Sequence, residues 1–338
     1  MKFAIGYQHN EALKESVLQH HETVSEIYFP WTGFTTGRGI PDDFIDSEVL
    51  RADLTEYAKA GFSTNLLLNG NCYGRYSLNR NFYRKIGDTV ELLCQEYRLG
   101  AVTTTSPVIA RFIKNNFAAL DVRASVNMEI CNIEGASYLL DIFDSFYGKR
   151  ELNYNSEYLQ SMYDFLHANG KLFFLLANSG CLNFCPTRTF HDNLVAHQHE
   201  IAEMDNAFEF QGLCHEFLHM PEHSAALLKH TNFIRPEDIT LYENFCDGMK
   251  LATRTNCNPG AIIEAYMQGH TSGNLLELTE PAHAGQFYPA IWDSARFPAD
   301  YAMHRRECTR NCNECTYCEN VQKQITVTLN AIGEEIQC

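Results

Sequence analysis

Residues 171–193 read KLFFLLANSGCLNFCPTRTFHDN, and this stretch indicates both the fold class and the position of a site. It opens with an apolar run, Leu172 to Ala177, of the length and composition typical of a fully buried strand. The run breaks at Asn178-Ser179-Gly180, and two cysteines follow, Cys181 and Cys185. Because strand ends carry the chemistry in α/β folds, the pattern predicts a site at the mouth of such a fold.

Short strand-like runs alternate with helical stretches along most of the chain. We predict strands at residues 3–7, 26–29, 62–68, 101–105, 122–128, 172–177, 232–235 and 249–253. This alternation predicts a TIM-like (β/α)8 barrel, with a doubly wound open sheet as the alternative. No G-x-G-x-x-G sequence follows the first strand, which argues against dinucleotide binding. We assign residues 1–300 to the barrel and residues 301–338 to a cysteine-rich appendage that ends in a helix.

Composition and charge narrow the range of functions. The chain has 338 residues with a formal net charge of −16, which argues against non-specific nucleic-acid binding because that binding needs Lys and Arg to neutralise phosphates. No apolar run approaches the roughly 20 residues of a membrane helix. The first residues, MKFAIGYQHNE, lack the apolar core of a secretory signal. We therefore expect a cytoplasmic protein with no membrane span.

The sequence contains 13 cysteines, and in a reducing compartment metal ligation explains such a number better than disulfides do. Four of them form a C-x3-C-x2-C-x2-C motif near the C-terminus: Cys308, Cys312, Cys315 and Cys318. Four thiolates at this spacing suit a [4Fe–4S] cluster or a structural Zn²⁺. The short C-x2-C-x2-C core is more typical of ferredoxin-like loops than of zinc ribbons. We favour iron–sulfur and keep zinc as the alternative.

The pair Cys181 and Cys185 at the predicted barrel mouth needs further ligands. Cys214 lies in the long loop after the same strand. Three more cysteines each follow a predicted strand and face the same mouth if the barrel forms: Cys72, Cys131 and Cys257. Spacing alone does not choose a fourth ligand among them.

A second metal motif occurs in the same loop. His215, Glu216 and His219 match H-E-x-x-H, which on a helix places two imidazoles toward one Zn²⁺ with the glutamate as general base. Pro221 would disturb the helix just after the second histidine. A zinc metallopeptidase is therefore a weaker alternative function.

Three motifs resemble the collagenase-like peptidase superfamily: GCLNFCPTRTFHDN at 180–193, FIRPEDITLY at 233–242 and MKLATRT at 249–255. EIYF at 26–29 is similar to the second strand of that family. Two departures are visible. Ala252 and Thr253 stand where the family's K-I-E-G-R motif has Glu and Gly, and Thr240 stands where its D-L-C segment has cysteine. The C-terminal cysteine motif is similar to an extension in a shorter, barrel-only branch.

The resemblance implies a TIM-like barrel with an oxygen-sensitive [4Fe–4S] cluster at its mouth. It also implies oxygen-independent hydroxylation chemistry, since several members act in hydroxylating ubiquinone precursors, tRNA or rRNA, and prephenate is the implied oxygen donor in some. A second cluster at the C-terminal motif would pass electrons from an external donor. Possible partners are a small-molecule or peptide substrate and a related protein in a hetero-oligomer. A non-catalytic iron–sulfur subunit is a further alternative.

On this hypothesis Cys181, Cys185 and Cys214 hold the mouth cluster, with Cys72 as the preferred fourth ligand because the D-L-C cysteine is missing. Four polar residues are then candidates for the pocket wall: Arg188, His191, Arg235 and Arg254. Arg235 or Arg254 would hold a substrate carboxylate bidentately. His191 would move protons near neutral pH. The segment that begins at Arg235 is also consistent with a simple strand exit and helix start.

Overall fold

The computed structural model describes residues 1–37 and 47–329, and its centre is a closed barrel of eight parallel strands. The strands follow one another around the barrel in chain order, and the last pairs with the first. They are β1 Phe3–Gly6, β2 Val24–Phe29, β3 Ser63–Leu68, β4 Leu99–Thr104, β5 Asp121–Ala124, β6 Ser145–Tyr147, β7 Leu172–Leu176 and β8 Gly248–Leu251. The predicted TIM-like (β/α)8 barrel is confirmed.

Helices surround the barrel and fill its long loops. They are α1 Glu11–Gln19, α2 Ser47–Lys59, α3 Arg80–Glu96, α4 Pro107–Asn116, α5 Ile133–Ser137, α6 Ser156–Ala168, α7 Arg188–Ala196, α8 Gln198–Ala202, α9 Leu213–Leu218, α10 Pro221–Ser224, α11 Leu227–His230, α12 Pro259–Gln268, α13 Ala284–Phe287, α14 Tyr301–Arg306 and α15 Tyr317–Ile325. Side-chain caps fix several starts: the Ser106 hydroxyl accepts from the Ile109 N–H, directly before Pro107. Within the described residues, no helix combines the length and apolar character that crossing a bilayer needs.

One predicted strand was wrong, and one strand was missed. Strand β6 was missed because it has only three residues and lies between Asp144 and Gly148, which hides any periodicity. Residues 232–235 form no strand; the segment is extended, donates from Ile234 N to Ala177 O at 2.7 Å, and leads into the 3₁₀ helix Pro236–Tyr242. The stretch that opened the sequence analysis therefore forms β7 and not a sixth strand.

The barrel interior is polar over part of its height. Glu26 accepts from Asn65 Nδ2 at 2.8 Å and pairs with Arg123 Nη1 at 2.7 Å. Arg123 also donates to Ser145 Oγ at 3.0 Å. Alternate residues of a strand point inward, so these inward positions are polar while the outward ones are apolar and pack beneath the helices. This alternation explains why the strand sequences are only partly apolar.

The C-terminal segment packs back onto the barrel loops. Strand β10, Thr326–Thr328, pairs antiparallel with β9, Ala290–Trp292. The Gln322 side chain on α15 accepts from Leu228 N on α11 at 2.8 Å. The division at residue 300 stays a prediction, and residues 330–338 of the appendage lie outside the described part of the chain.

Candidate metal centre

Three of the predicted ligands meet at the barrel mouth. Cys181, Cys185 and Cys214 line one cavity of about 220 Å³. The first two follow β7, and Cys214 lies on α9, in the long loop after the same strand. Burial, together with the neighbouring Cys181 and Cys185 thiols, raises the pKa of the Cys214 thiol. The three sulfur atoms are therefore close enough to influence one another.

Arginines surround these thiols. Arg150 Nη1 donates to Cys181 Sγ at 3.6 Å, and Arg188 lines the same cavity. Arg188 pairs with Glu151 Oε1 at 2.6 Å and with Glu129 Oε1 at 3.2 Å. Its remaining nitrogen, Nη1, is buried and has no hydrogen-bond partner among the described residues.

This arrangement fits an anionic sulfur-ligated group. Iron–sulfur clusters are held by cysteine thiolates and tuned by hydrogen bonds to sulfur. Arg150 already donates to one of the thiols, and the Arg188 guanidinium, which borders the same cavity, adds a second positive charge close to Cys181. Cys181, Cys185 and Cys214 would hold a [4Fe–4S] cluster here. Among the described residues, no fourth cysteine lines this cavity.

The preferred fourth ligand, Cys72, lies outside this cavity. It lines a neighbouring one of about 460 Å³ beside Asn127, which borders both. There Gly74 N donates to Cys72 Sγ at 3.4 Å, and a hydrogen bond from His197 lowers the pKa of the Cys72 thiol. The two other candidates, Cys131 and Cys257, are exposed, and neither borders the mouth cavity.

The four predicted pocket residues separate into two groups. Arg188, His191 and Arg254 line the mouth cavity. Arg235 does not; its guanidinium makes a bidentate ion pair with Asp238 at 2.7 and 2.8 Å and stacks 4.1 Å from the Phe297 ring centroid. Of the two interpretations of Arg235, the geometry favours the start of a helix.

The H-E-x-x-H motif lies on the short helix α9, which ends at Leu218 with His219 as its C-cap. His215 lines the mouth cavity, and Glu216 is exposed. His219 Nδ1 lies 2.7 Å from the His215 carbonyl oxygen, which leaves only its Nε2 for a metal. Within the described residues, a different group of three potential metal ligands has its ligand atoms close together: His9, Glu11 and Asp53. Lys14 already bonds the Glu11 and Asp53 carboxylates, at 3.1 and 3.2 Å.

The C-terminal cysteines also converge. All four line one cavity of about 280 Å³: Cys308, Cys312, Cys315 and Cys318. Arg310 N donates to Cys308 Sγ at 3.3 Å, and Arg305 Nη1 donates to Cys318 Sγ at 3.8 Å. Burial raises the pKa of the Cys318 thiol, against the opposing charge of Arg305. Four thiols with a guanidinium and a backbone N–H as donors fit either a [4Fe–4S] cluster or Zn²⁺.

One residue connects the two cysteine groups. The Glu151 carboxylate bonds Arg188 at the mouth, and the Glu151 carbonyl accepts from Arg310 Nη2 at 2.6 Å. Arg310 in turn donates its backbone N–H to Cys308. A continuous hydrogen-bonded path therefore runs from the C-terminal group to the arginine beside Cys181.

Sequence reasoning missed three residues of the site. Arg150 and Glu151 follow β6 directly, and because that strand was not recognised they were not placed at the mouth. Lys250 lies in the quoted MKLATRT motif, and its position in the last strand was the available signal; it lines the mouth cavity.

Comparisons with known proteins agree with this architecture. No family model matches the chain. A stretch of 155 residues is 25% identical to an uncharacterized protease of Methanocaldococcus jannaschii and covers 44% of this chain and 44% of that protein. The match thus spans less than half of the relative's own length. The solved structure of the U32 peptidase Mk0906 shares the fold, with a TM-score of 0.56 and 16% identity over 75% of this chain and 92% of the other.

The fold and the site define a TIM-barrel protein with thiols clustered at the carboxyl ends of its strands. The two comparisons show a partial sequence likeness to the Methanocaldococcus jannaschii protease and a fold shared with the U32 peptidase Mk0906.

Proposed function

We propose that the protein is an enzyme of oxygen-independent, hydroxylation-type redox chemistry with two [4Fe–4S] clusters. One is held by Cys181, Cys185 and Cys214 at the mouth, and the other by the C-terminal cysteine group. When bound, the mouth cluster would supply a Lewis-acidic, redox-active iron with a coordination position open to substrate.

The observation that carries the proposal is the convergence of three thiols and two arginine side chains on one cavity. Cys181, Cys185 and Cys214 come from the turn after β7 and from a separate loop helix, yet they border the same space. Arg150 and Arg188 bring positive charge to that space, which supports an anionic occupant. His191 and Arg254 border the same space and would move a proton and hold a carboxylate.

The second cysteine group supports a relay of electrons to the mouth. Cys315 is exposed, which would allow an external donor or a related protein subunit to approach. The path through Arg310, Glu151 and Arg188 brings the two groups into one hydrogen-bonded framework. Zinc remains the alternative at this second group, where it would act structurally.

A second candidate function follows from Cys72. His197 hydrogen-bonds this thiol and also lies with Nδ1 2.9 Å from Glu200 Oε2, which is the Cys–His–acid order of a thiol nucleophile. The thiolate would attack a peptide carbonyl carbon and form a thioester, and His197 would give its proton to the leaving amine. This arrangement favours a cysteine-type peptidase over the zinc peptidase of His215, Glu216 and His219.

Iron and sulfide analysis of anaerobically purified protein tests the main proposal. We expect about eight iron and about eight acid-labile sulfide per chain, as two [4Fe–4S] clusters contain. The C181S/C185S double variant should keep about half of this iron, and C312S/C315S should also keep about half. C94S is the matched control, because Cys94 is on α3 and borders neither cysteine-lined cavity.

The outcomes separate the alternatives. A colourless protein that binds one Zn²⁺ and no iron would contradict the redox proposal. Unchanged iron in C181S/C185S would contradict the mouth assignment, while half the iron with one zinc in the wild-type protein would place zinc at the C-terminal group. Peptide hydrolysis that is lost in C72S but retained in C181S/C185S would favour the peptidase.

A further inference from the structure

Lys250 is a buried amine that opens onto the mouth cavity. It lies on β8, where its backbone neighbours are Ala4 on β1 and Leu176 on β7. The residue is 7% exposed, and it lines the cavity that Arg254 also borders. The side chain therefore reaches the bottom of the cavity from the barrel interior.

No acidic side chain among the described residues bonds this amine. Its Nζ lies 3.8 Å from the Tyr28 ring centroid and 5.6 Å from that of Tyr147, and within residues 1–37 and 47–329 it has no ion pair or hydrogen bond. Two buried acids act on it through their charge alone: Glu26, which is bonded to Arg123 at 2.7 Å and to Asn65, and Glu280, which lines the same cavity and accepts from Thr255 N at 3.2 Å. The aromatic faces offset only part of the cost of burying an ammonium ion.

The neutral form of the amine is consequently favoured. Burial, reinforced by the charge of Arg254, lowers the pKa of Lys250. A neutral lysine in an apolar pocket is the state in which this side chain acts as a nucleophile toward carbonyl groups. By contrast Lys171 bonds Asp144 at 3.5 Å, and Lys229 bonds Glu319 at 3.1 Å, so both keep acidic partners.

Arg254 indicates the class of carbonyl compound. It follows Lys250 by four positions, borders the same cavity and holds its Nη1 3.5 Å from Thr36 Oγ1. A guanidinium is suited to a carboxylate, whereas the amine reacts with a carbonyl carbon. The cavity of about 220 Å³ has the volume of roughly seven water molecules, which suits a small acid.

We propose that Lys250 forms an imine with the carbonyl carbon of a 2-oxo acid whose carboxylate binds Arg254. The Nζ lone pair attacks the carbonyl carbon, and the carbonyl oxygen takes up the proton that nitrogen loses, which gives a carbinolamine. Loss of that hydroxyl group together with the second Nζ proton, as water, then leaves the C=N bond. The step is reversible, consumes no oxidant or reductant and does not use the cluster, so it goes beyond the proposed redox function.

Reductive trapping tests the proposal with pyruvate as probe and cyanoborohydride as the hydride source. The hydride adds to the imine carbon and fixes the adduct as a secondary amine, which peptide mass spectrometry locates. We expect one main adduct, on Lys250, in both the anaerobically purified and the cluster-free protein. R254Q should lower the extent of trapping about tenfold, because a charge-assisted carboxylate contact is lost.

Three controls accompany this experiment. K250R should show no main adduct, and K171R should behave as the wild type. Acetone has no carboxylate, so R254Q should lower its trapping less than it lowers that of pyruvate, because only the effect of Arg254 on the Lys250 pKa is lost. Adducts spread over surface lysines, or a main adduct at another lysine, would overturn the proposal even if K250R failed to fold, because the wild-type map decides it. Since trapping is read without the cluster, its failure leaves the iron analysis unaffected.

Discussion

Arg188 and Glu151 form a buried ion pair, with 2.6 Å between Nη2 and Oε1 and only 1% of Glu151 exposed. The same arginine also pairs with Glu129, whose side chain is 34% exposed, at 3.2 Å. One guanidinium beside Cys181 thus has two acidic partners that differ mainly in burial. The pair at Glu151 fixes the orientation of the arginine, since a buried charge without its partner is strongly unfavourable.

We expect E151A to destabilise the protein by about 3–5 kcal/mol, because it leaves the Arg188 charge buried and less fully paired. E129A is the matched control and should cost about 0–1 kcal/mol, as solvent screens that pair. Urea unfolding of the cluster-free, reduced protein measures both free energies. Equal losses in the two variants would contradict the assignment of Glu151 as the orienting partner.

Arg235 and Asp238 make a second buried pair, and here the predicted effect is on stability alone. R235K should cost about 1.5–3 kcal/mol, because lysine cannot reproduce the two parallel bonds to the carboxylate. Iron content per folded chain should not change, since Arg235 does not border the mouth cavity. A loss of iron in folded R235K would place the residue in the metal site after all.

R296K is the control for that variant. Arg296 pairs with Asp293 at the same i,i+3 spacing and 3.1 Å, but both side chains are more than a third exposed. We expect a change of less than about 1 kcal/mol there. The comparison isolates the contribution of burial from that of the residue types.

The barrel could be predicted from the sequence because its signals are local: strand-like runs alternate with helical stretches, and turn residues separate them. It also placed Cys181, Cys185 and Cys214 together, since β7 and the loop after it follow directly in the chain. Strand β6 was not predicted because a strand of three residues shows no hydrophobic periodicity. Arg150 and Glu151, which come shortly after it, were therefore not placed at the barrel mouth, although Arg150 donates to Cys181 and Glu151 pairs with Arg188.

Side-chain partners are the part that sequence could not supply. Cys72 follows a strand as predicted, yet His197 from the loop after β7 lies beside it and holds it in a separate cavity. Arg235 and Arg254 were equivalent as sequence features, and only the packing of Asp238 against one of them separates their roles. The contact between Cys72 and His197 joins distant parts of the chain, so it depends on the closed barrel and has no signature in a single sequence.

Single serine variants test the three-cysteine mouth. We expect C72S, C131S and C257S to keep the full iron content, because none of these residues borders the mouth cavity. C214S should lose the mouth cluster and retain about half the iron. Full loss of the mouth cluster in C72S, with the C-terminal cluster intact, would restore Cys72 as the fourth ligand and require the loop around His197 to rearrange.

The Cys72–His197 pair predicts a pH-dependent reactivity. The hydrogen bond from His197 lowers the pKa of the Cys72 thiol, and the same contact raises the pKa of His197, so both shifts favour the thiolate–imidazolium pair. A lowered pKa means more thiolate at a given pH, so iodoacetamide should label Cys72 faster at pH 7 than it labels a free cysteine of ordinary pKa.

The H197A variant removes the hydrogen-bond donor, so the labelling of its Cys72 should reach half of the maximal rate at a higher pH than in the wild type. E200Q should produce a smaller shift of the same sign, because Glu200 acts through His197. Exposed Cys131 is the internal control, read from the same peptide map. Identical pH profiles for Cys72 in the wild type and H197A would remove the basis for the thiol nucleophile.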